Sequence, residues 1–487
     1  MVPVITVARS DQILTSDPSR VVAQPFLPSA PTIADNPRRA DVIARRILSL
    51  DPDDAKALLE QTRVRFEDRH RDLEAVWLRS LEQAALRYEG ISDVSGDLRL
   101  LLGATFTHEY AIEAAALCNP SMAPATHAPD PDGSLPLIMT LRAIGEGHIS
   151  SIEFRTGSVS ATGAVTVDPA SDYCTLGLRD SPVYDTSLFV GKLEEMGADR
   201  AMVTDIFEKL PPTHDLGQLE AAITRFKEDN DDSDTTAETM HLIHWLASSN
   251  YRLSFDDVPI SERVISPAGP ADSRGMEDAR LVRFVDDDST VTYCATYTAW
   301  DGTRVLPQLI ETTDFLTFRI ATLNGAYAQN KGMALFPRRI DGRYLALSRY
   351  DQESIFLMRS DHRRFWHEAA PVHAPTEPWE AVQIGNCGSP IETDAGWLVI
   401  THGVAPMRRY TLGAILLDLG DPARVVGRLR YPLIEPDPAE RDGYVPNVVY
   451  SCGGLVHTGH LVLPYGVSDQ AVRIATVDLD ELLGEMT

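Results

Sequence analysis

At 487 residues the chain is long enough for more than one domain, and 44% hydrophobic with 24% charged residues is the composition of an ordinary soluble globular protein. Its 44 Lys+Arg stand against 71 Asp+Glu, a formal net charge of -27, which excludes nucleic acid and an anionic membrane surface as partners because both require clustered cations. A small anionic substrate would need a local basic pocket working against the field of the whole chain.

In chain order, residues 1–35 carry several prolines without a hydrophobic period and read as an extended arm. From Arg38 to Tyr88 apolar residues recur at helical spacing: Val42, Ile43, Ile47 and Leu48, then Ala57 to Leu59, then Leu73, Val76, Trp77 and Leu81. Asp51-Pro52-Asp53-Asp54 is a helix start, with the proline placed for the first turn. Beyond Cys118 the pattern becomes short alternating runs with glycine turns, which predict strands. One helical interruption, about residues 185–250, is itself broken by the acidic run Glu228 to Asp234, read as a solvated loop.

From Gly275 onward a strand–turn–strand unit repeats at roughly 50-residue spacing, the period of four-stranded propeller blades. The copies are Leu281–Val285 with Thr290–Thr298, Gly332–Phe336 with Tyr344–Ser348, Ser389–Ile391 with Trp397–Thr401, and Asn447–Tyr450 with Leu461–Tyr465. Residues 118–170 supply one more. The predicted architecture is mainly β: an N-terminal arm and helical region over 1–114, then a five-bladed β-propeller domain over 115–487 with a helical insertion at about 185–250.

The five cysteines, Cys118, Cys174, Cys294, Cys387 and Cys452, form no CxxC pair and are expected to be free thiols in a reducing compartment. Residues 1–12 lack a basic n-region and an apolar h-region, and no stretch approaches a membrane span, so a cytoplasmic location is expected.

The stretch that concentrates charge is Gly275-Met276-Glu277-Asp278-Ala279-Arg280, at the start of a predicted strand. Three charged groups this close are not buried cheaply, so the stretch is either an exposed ion-pair turn or a site that needs them. It belongs to an ordered series. Asn119-Pro120-Ser121 precedes it; Lys331 to Pro337, with Arg349, follows; then come Gly396 to Val404, Tyr410, Gly413, Leu416-Leu417-Asp418 and Tyr465 to Asp469. Taken together, over about residues 115–485, these motifs resemble glycoside hydrolase family 130, five-bladed propellers that act on β-mannosides, mostly by phosphorolysis. Ala279 replaces the family's proline.

The resemblance implies that Asp278 is the catalytic acid, a carboxyl with a raised pKa that protonates the glycosidic oxygen through a mannosyl hydroxyl. Glu277 beside it would favour the protonated form by repulsion, and Arg280 would oppose it. Lys331, Arg349 and His402 match a phosphate-binding cluster, which would be the local positive site this acidic chain requires. Asn119, Arg142, Tyr410, Glu440 and Asp469, with Glu277 and Arg280, match sugar-contacting positions. Gln383 stands where the family carries a lysine, removing one cation from the phosphate cluster.

The expected reaction is reversible, inverting phosphorolysis of β-mannosides, with β-1,2-linked manno-oligosaccharides as the expected substrates, giving α-mannose 1-phosphate, with inorganic phosphate as co-substrate and no cofactor or metal. Alternatives are a β-mannosidase with Glu380 or Glu146 as base, a nucleotide-sugar-dependent β-mannosyltransferase, and a non-catalytic interaction propeller. The apolar stripes of the N-terminal helices are expected to be buried in a homo-oligomer.

Overall fold

A computed structural model describes residues 5–28, 39–86, 88, 91, 94–229 and 234–486, so residues 230–233 of the expected acidic loop, and parts of the expected arm, lie outside it. The chain divides into two compact units, residues 17–114 with 171–175, and residues 1–16, 115–170 and 176–487.

The smaller unit holds four helices, Arg39–Leu48, Pro52–Phe66, Leu73–Ala85 and Gly96–Thr105. Asp51 and Asp72 cap the second and third, accepting from Asp53 N (2.9 Å) and Ala75 N (3.0 Å), so the Asp-Pro signal does open a helix. The helices pack Trp77, Leu81, Leu102 and Phe106 inward, and an antiparallel pair, Val21–Pro25 with Thr107–Ala111, completes the unit. Leu58, Val64 and Leu86 remain exposed.

The larger unit is mainly β. Its described residues form five antiparallel sheets of four or more strands. In chain order the first comprises Ala116–Pro124, Leu135–Ile144, Ser150–Val159 and Val165–Val167. The second runs from Leu178–Asp180 through Tyr251–Ser254, Thr317–Thr322, Val305–Thr312 and Val291–Trp300 to Gly275–Val285. Ala334–Leu335, Tyr344–Ser348, Ile355–Ser360 and Glu368–His373 make the third. The fourth has Gln383–Asn386, Gly396–Ala405, Arg409–Leu417 and Val425–Arg428. The fifth is built on Val449–Tyr450, His460–Val467 and Ala471–Asp478.

Strands such as Gly396–Ala405 are buried along their whole length, because each sheet is covered on both faces. One apolar core lies between the first and second sheets (Ile152, Phe154, Leu281, Ala295), and others follow between second and third, third and fourth, and fourth and fifth. A further core, with Leu117, Met139, Val462 and Ile474, joins the fifth sheet to the first.

Residues 7–9 and 14–15 depart from the reading of 1–35 as an extended arm. Val7–Arg9 and Leu14–Thr15 pair antiparallel with Ala471–Asp478, so this part of the arm is strand and satisfies the backbone groups of an otherwise open edge. The insertion leaves the second sheet through Leu178–Asp180 and returns through Tyr251–Ser254, and these two strands pair with each other. Its helices, Thr186–Glu195, Arg200–Phe207, Leu216–Asp229 and Asp234–Ser249, therefore grow from one sheet edge without breaking the ladder. They enclose a core of their own around Phe189, Leu193, Ile206 and Leu219. Among the described residues no disulfide joins any of the five cysteines. Among the described residues no helix is long and apolar enough to cross a membrane.

In the fourth sheet, glycines make a slot for Trp379, whose indole Nε1 donates to Arg430 O (3.1 Å). A Cβ on Gly403 would lie 2.3 Å from its ring, and one on Gly413 2.4 Å. Gly403→Ala or Gly413→Ala should each lower unfolding stability by about 1–3 kcal/mol in urea denaturation. Gly191→Ala, in a helix with open space around it, should be neutral or stabilising.

Candidate active site

Two β-bulges create the centre of the site. The pairing of Gly275–Val285 with Val291–Trp300 shifts register between Glu277 and Arg280, and that of Ala116–Pro124 with Leu135–Ile144 shifts between Cys118 and Ser121. Asp278 (φ 57°) and Asn119 (φ 48°) occupy the extra positions in left-handed backbone, which Asp and Asn tolerate better than most residues. The bulges turn both side chains toward one cavity, where Asn119 Nδ2 donates to Asp278 Oδ1 at 2.6 Å.

The cavity has a volume of about 610 Å³ and draws its lining from all five sheets and their loops. Of the residues expected from the sequence, Asn119, Arg142, Glu277, Asp278, Lys331, Arg349, His402, Tyr410 and Asp469 line it. Arg280 and Glu440 do not. Arg280 is buried beneath, its guanidinium donating to Cys387 O (2.8 Å), Asp278 O (3.0 Å) and Tyr450 OH (2.9 Å). It braces the bulge from behind. Glu440 is buried in an ion-pair group with Arg9 (3.3 Å) and Arg473 (3.4 Å), and accepts from Tyr465 OH (3.4 Å). Neither Glu380 nor Glu146 lines the cavity; Glu380 accepts from Thr376 N (2.8 Å) and Glu377 N (3.1 Å).

Within the cavity, opposite charges are interleaved. Glu277 accepts from Arg142 Nη2 (2.9 Å) on one oxygen and from Lys331 Nζ (2.6 Å) on the other, and Arg142 Nη1 lies 3.6 Å from Asp278 Oδ1. Burial lifts the Asp278 carboxyl, but Arg142, Arg280, Lys331 and the Asn119 hydrogen bond together outweigh it and hold the group below its ordinary value. The raised pKa expected for this acid is therefore not what its present neighbours produce; the cations win over burial.

His402 also differs from expectation. Burial, then Arg349 and Arg280, drive its pKa well below that of a free imidazole, so it brings no positive charge. Its Nε2 lies 3.2 Å from Arg349 Nη1, which can only donate, so Nε2 accepts and Nδ1 carries the proton. Tyr410 stacks on the imidazole at 6.0 Å and Tyr450 packs at 4.9 Å. Arg349 itself has no carboxylate within ion-pair distance among the described residues, and its Nε is buried without a hydrogen-bond partner. Asp469, in left-handed backbone (φ 48°), is lifted by burial; Arg142 opposes, the Asp278 and Glu277 charges add, and the carboxyl is pushed up to about 6.

The cavity also contains residues that sequence reasoning did not select: Val305, Asn330, Gln352, Arg408, Val445, Val448 and Tyr450. Val448 and Tyr450 fall in the expected Asn447–Tyr450 repeat strand. Arg408 sits in a hairpin tip that carries no spacing signal.

Comparison with known proteins follows the same part of the chain. The family profile of glycoside hydrolase 130, described as beta-1,4-mannooligosaccharide phosphorylase, matches residues 247–487. A 1,2-beta-oligomannan phosphorylase of Thermoanaerobacter sp. is 37% identical over 155 residues, 31% of this chain and 52% of that protein, so the chain spans about half the length of that relative. A beta-1,4-mannooligosaccharide phosphorylase of Ruminococcus albus is 32% identical over 253 residues, 50% of this chain and 72% of that protein. Among solved structures, a beta-1,2-mannobiose phosphorylase from Listeria innocua in complex with beta-1,2-mannobiose aligns with TM-score 0.44 and 21% identity, covering 77% of this chain and 93% of that one.

The raised Asp469 pKa has a consequence for stability. The folded chain holds this proton up to about pH 6, above the unfolded reference of 3.8, so stability falls as pH rises through that window. Asp469→Asn should flatten the fall and leave the protein more stable than wild type at pH 7, measured as urea midpoints from pH 4 to 8.

Proposed function

The chain belongs to glycoside hydrolase family 130, and from that premise we propose that it cleaves β-mannosides, β-1,2-linked manno-oligosaccharides foremost, by reversible inverting phosphorolysis. The observation that carries this reading is Arg349, a guanidinium without a carboxylate partner among the described residues, on a cavity that also holds Arg142 and Lys331 in a chain of net charge -27. Such a cation favours a bound anion. The five sheets are read as blades of a closed five-bladed propeller. The apolar core between fifth and first sheets, and the N-terminal strands completing the fifth, support that reading.

In this reading inorganic phosphate sits on Arg349 and Lys331, with neutral His402 holding Arg349 in place through Nε2. Phosphate oxygen attacks the anomeric carbon on the face opposite the glycosidic oxygen. The carbon–oxygen bond to the leaving sugar breaks, the carbon–phosphate-oxygen bond forms, and the leaving oxygen takes the Asp278 proton through a mannosyl hydroxyl. The product is α-mannose 1-phosphate. A phosphate dianion beside Lys331 also offsets one of the charges that keep Asp278 ionised, which favours uptake of a proton from solvent by the carboxyl as phosphate enters. In this reading Asn119 and Arg142 hold the mannosyl hydroxyls near that carboxyl, supported by their position on the cavity wall and by the buried, unpartnered Oδ1 of Asn119.

Hydrolysis is the second reading, favoured by neutral Gln383 on the cavity wall. Its base would be Asp469, because Glu277 is already held by Arg142 and Lys331.

Incubation with β-1,2-mannobiose, with and without phosphate, separates the two. Mannose 1-phosphate formed only with phosphate is the expected result; free mannose at equal rates in both would overturn phosphorolysis. Asp278→Asn should cost about 10²–10⁴ in kcat, and full activity in that variant would remove Asp278 from the chemistry.

A further inference from the structure

The strands Gly396–Ala405 and Arg409–Leu417 pair residue by residue up to Ala405 opposite Arg409, leaving Pro406, Met407 and Arg408 as the tip of the hairpin. Met407 (φ 63°) and Arg408 (φ 55°) are both left-handed, a backbone that glycine adopts freely and that these side chains adopt only against strain. Strain of this kind is retained where a side chain is needed. The Met407 side chain points away into solvent, 95% exposed, whereas Arg408 lines the cavity. Gln383 lies across from Val404, and Val404 across from Tyr410, so the tip begins just beyond the row that carries Gln383 and Tyr410 into the same cavity. Arg409, the next residue, is engaged by Glu435 at 3.5 Å; Arg408 has no ion-pair partner among the described residues.

We propose that Arg408 is an anion-binding residue of the cavity, its guanidinium closing on the oxyanion co-substrate from the hairpin tip, on the side of the cavity where Gln383 offers no charge. The inference rests on the phosphorolysis reading and adds to it. Arg349 is fixed by its contact with His402 and by its buried Nε, so it forms the rigid part of the anion site. Arg408 stands on an exposed three-residue tip and supplies the part that can close after the anion has entered. A guanidinium suits this place because it presents a planar fork of donors to two oxygens at once.

The test measures inorganic phosphate binding by calorimetry and phosphorolysis by initial rates on the full chain. Arg408→Gln should raise the Kd and KM for phosphate by about tenfold or more, the loss expected for a charge-assisted contact. The KM for the mannoside should stay within about twofold. Arg409→Gln, whose residue faces Glu435, should leave both phosphate constants unchanged. Adding Gln383→Lys to Arg408→Gln should recover part of the phosphate affinity by returning a cation to the same side of the cavity. Wild-type phosphate affinity in Arg408→Gln, with phosphorolysis intact in the parent, would overturn the role of Arg408 and leave the phosphorolysis reading standing. A parent chain that neither binds phosphate nor needs it for cleavage would remove that reading, and the role of Arg408 with it.

Discussion

The 2.6 Å hydrogen bond between Asn119 and Asp278 is the constraint on which the rest of the site depends. It joins two bulges on different sheets, and neither bulge is useful alone. A regular strand would send residues 119 and 278 into the pleat, where neighbouring sheets already fill the space with apolar side chains. Left-handed backbone at both positions lifts the side chains into the cavity. Arg280 then closes the arrangement from behind, tying the Asp278 carbonyl to Cys387 and Tyr450 on the fourth and fifth sheets.

Electrostatic balance follows from that geometry. Glu277, one residue from Asp278, points to Arg142 and Lys331 and holds two cations close to the Asp278 carboxyl. Those cations, with Arg280 below, overcome the effect of burial on Asp278. Burial lifts Asp469, and with only Arg142 acting for its ionised form and two carboxylates acting against it, the carboxyl moves the other way. The two aspartates on one cavity thus shift in opposite directions, because cations outweigh burial at Asp278, whereas burial with two carboxylates outweighs the single Arg142 guanidinium at Asp469.

Much of this was legible from local pattern. Runs of period two separated by glycine and aspartate turns marked a mainly β chain, and helical spacing marked both the N-terminal region and the insertion. The ordered motifs named Asn119, Asp278, Lys331, Arg349 and His402, which the fold brings to one cavity although they are spread over nearly three hundred residues. Glu440 matched a motif position too, but Arg9 reaches it from the opposite end of the chain and holds it in an ion-pair group. No local pattern can report a partner more than four hundred residues away. The strand pairing of residues 7–15 with the last strand was hidden for the same reason.

What the sequence determined by itself was the type of each element and the chemical identity of the groups available, because helix and strand periods and motif order are local properties of the chain. Charge state and placement were decided only by the tertiary structure. Asp278 ionised, His402 neutral, Asp469 titrating near 6 and Arg280 turned away beneath the cavity each depend on distances between side chains carried by different sheets. Coulombic and desolvation effects act through space within a few ångströms, whereas the residues that set them here are far apart along the chain, Asn119 and Asp278 by 159 positions and Arg142 and Asp469 by more.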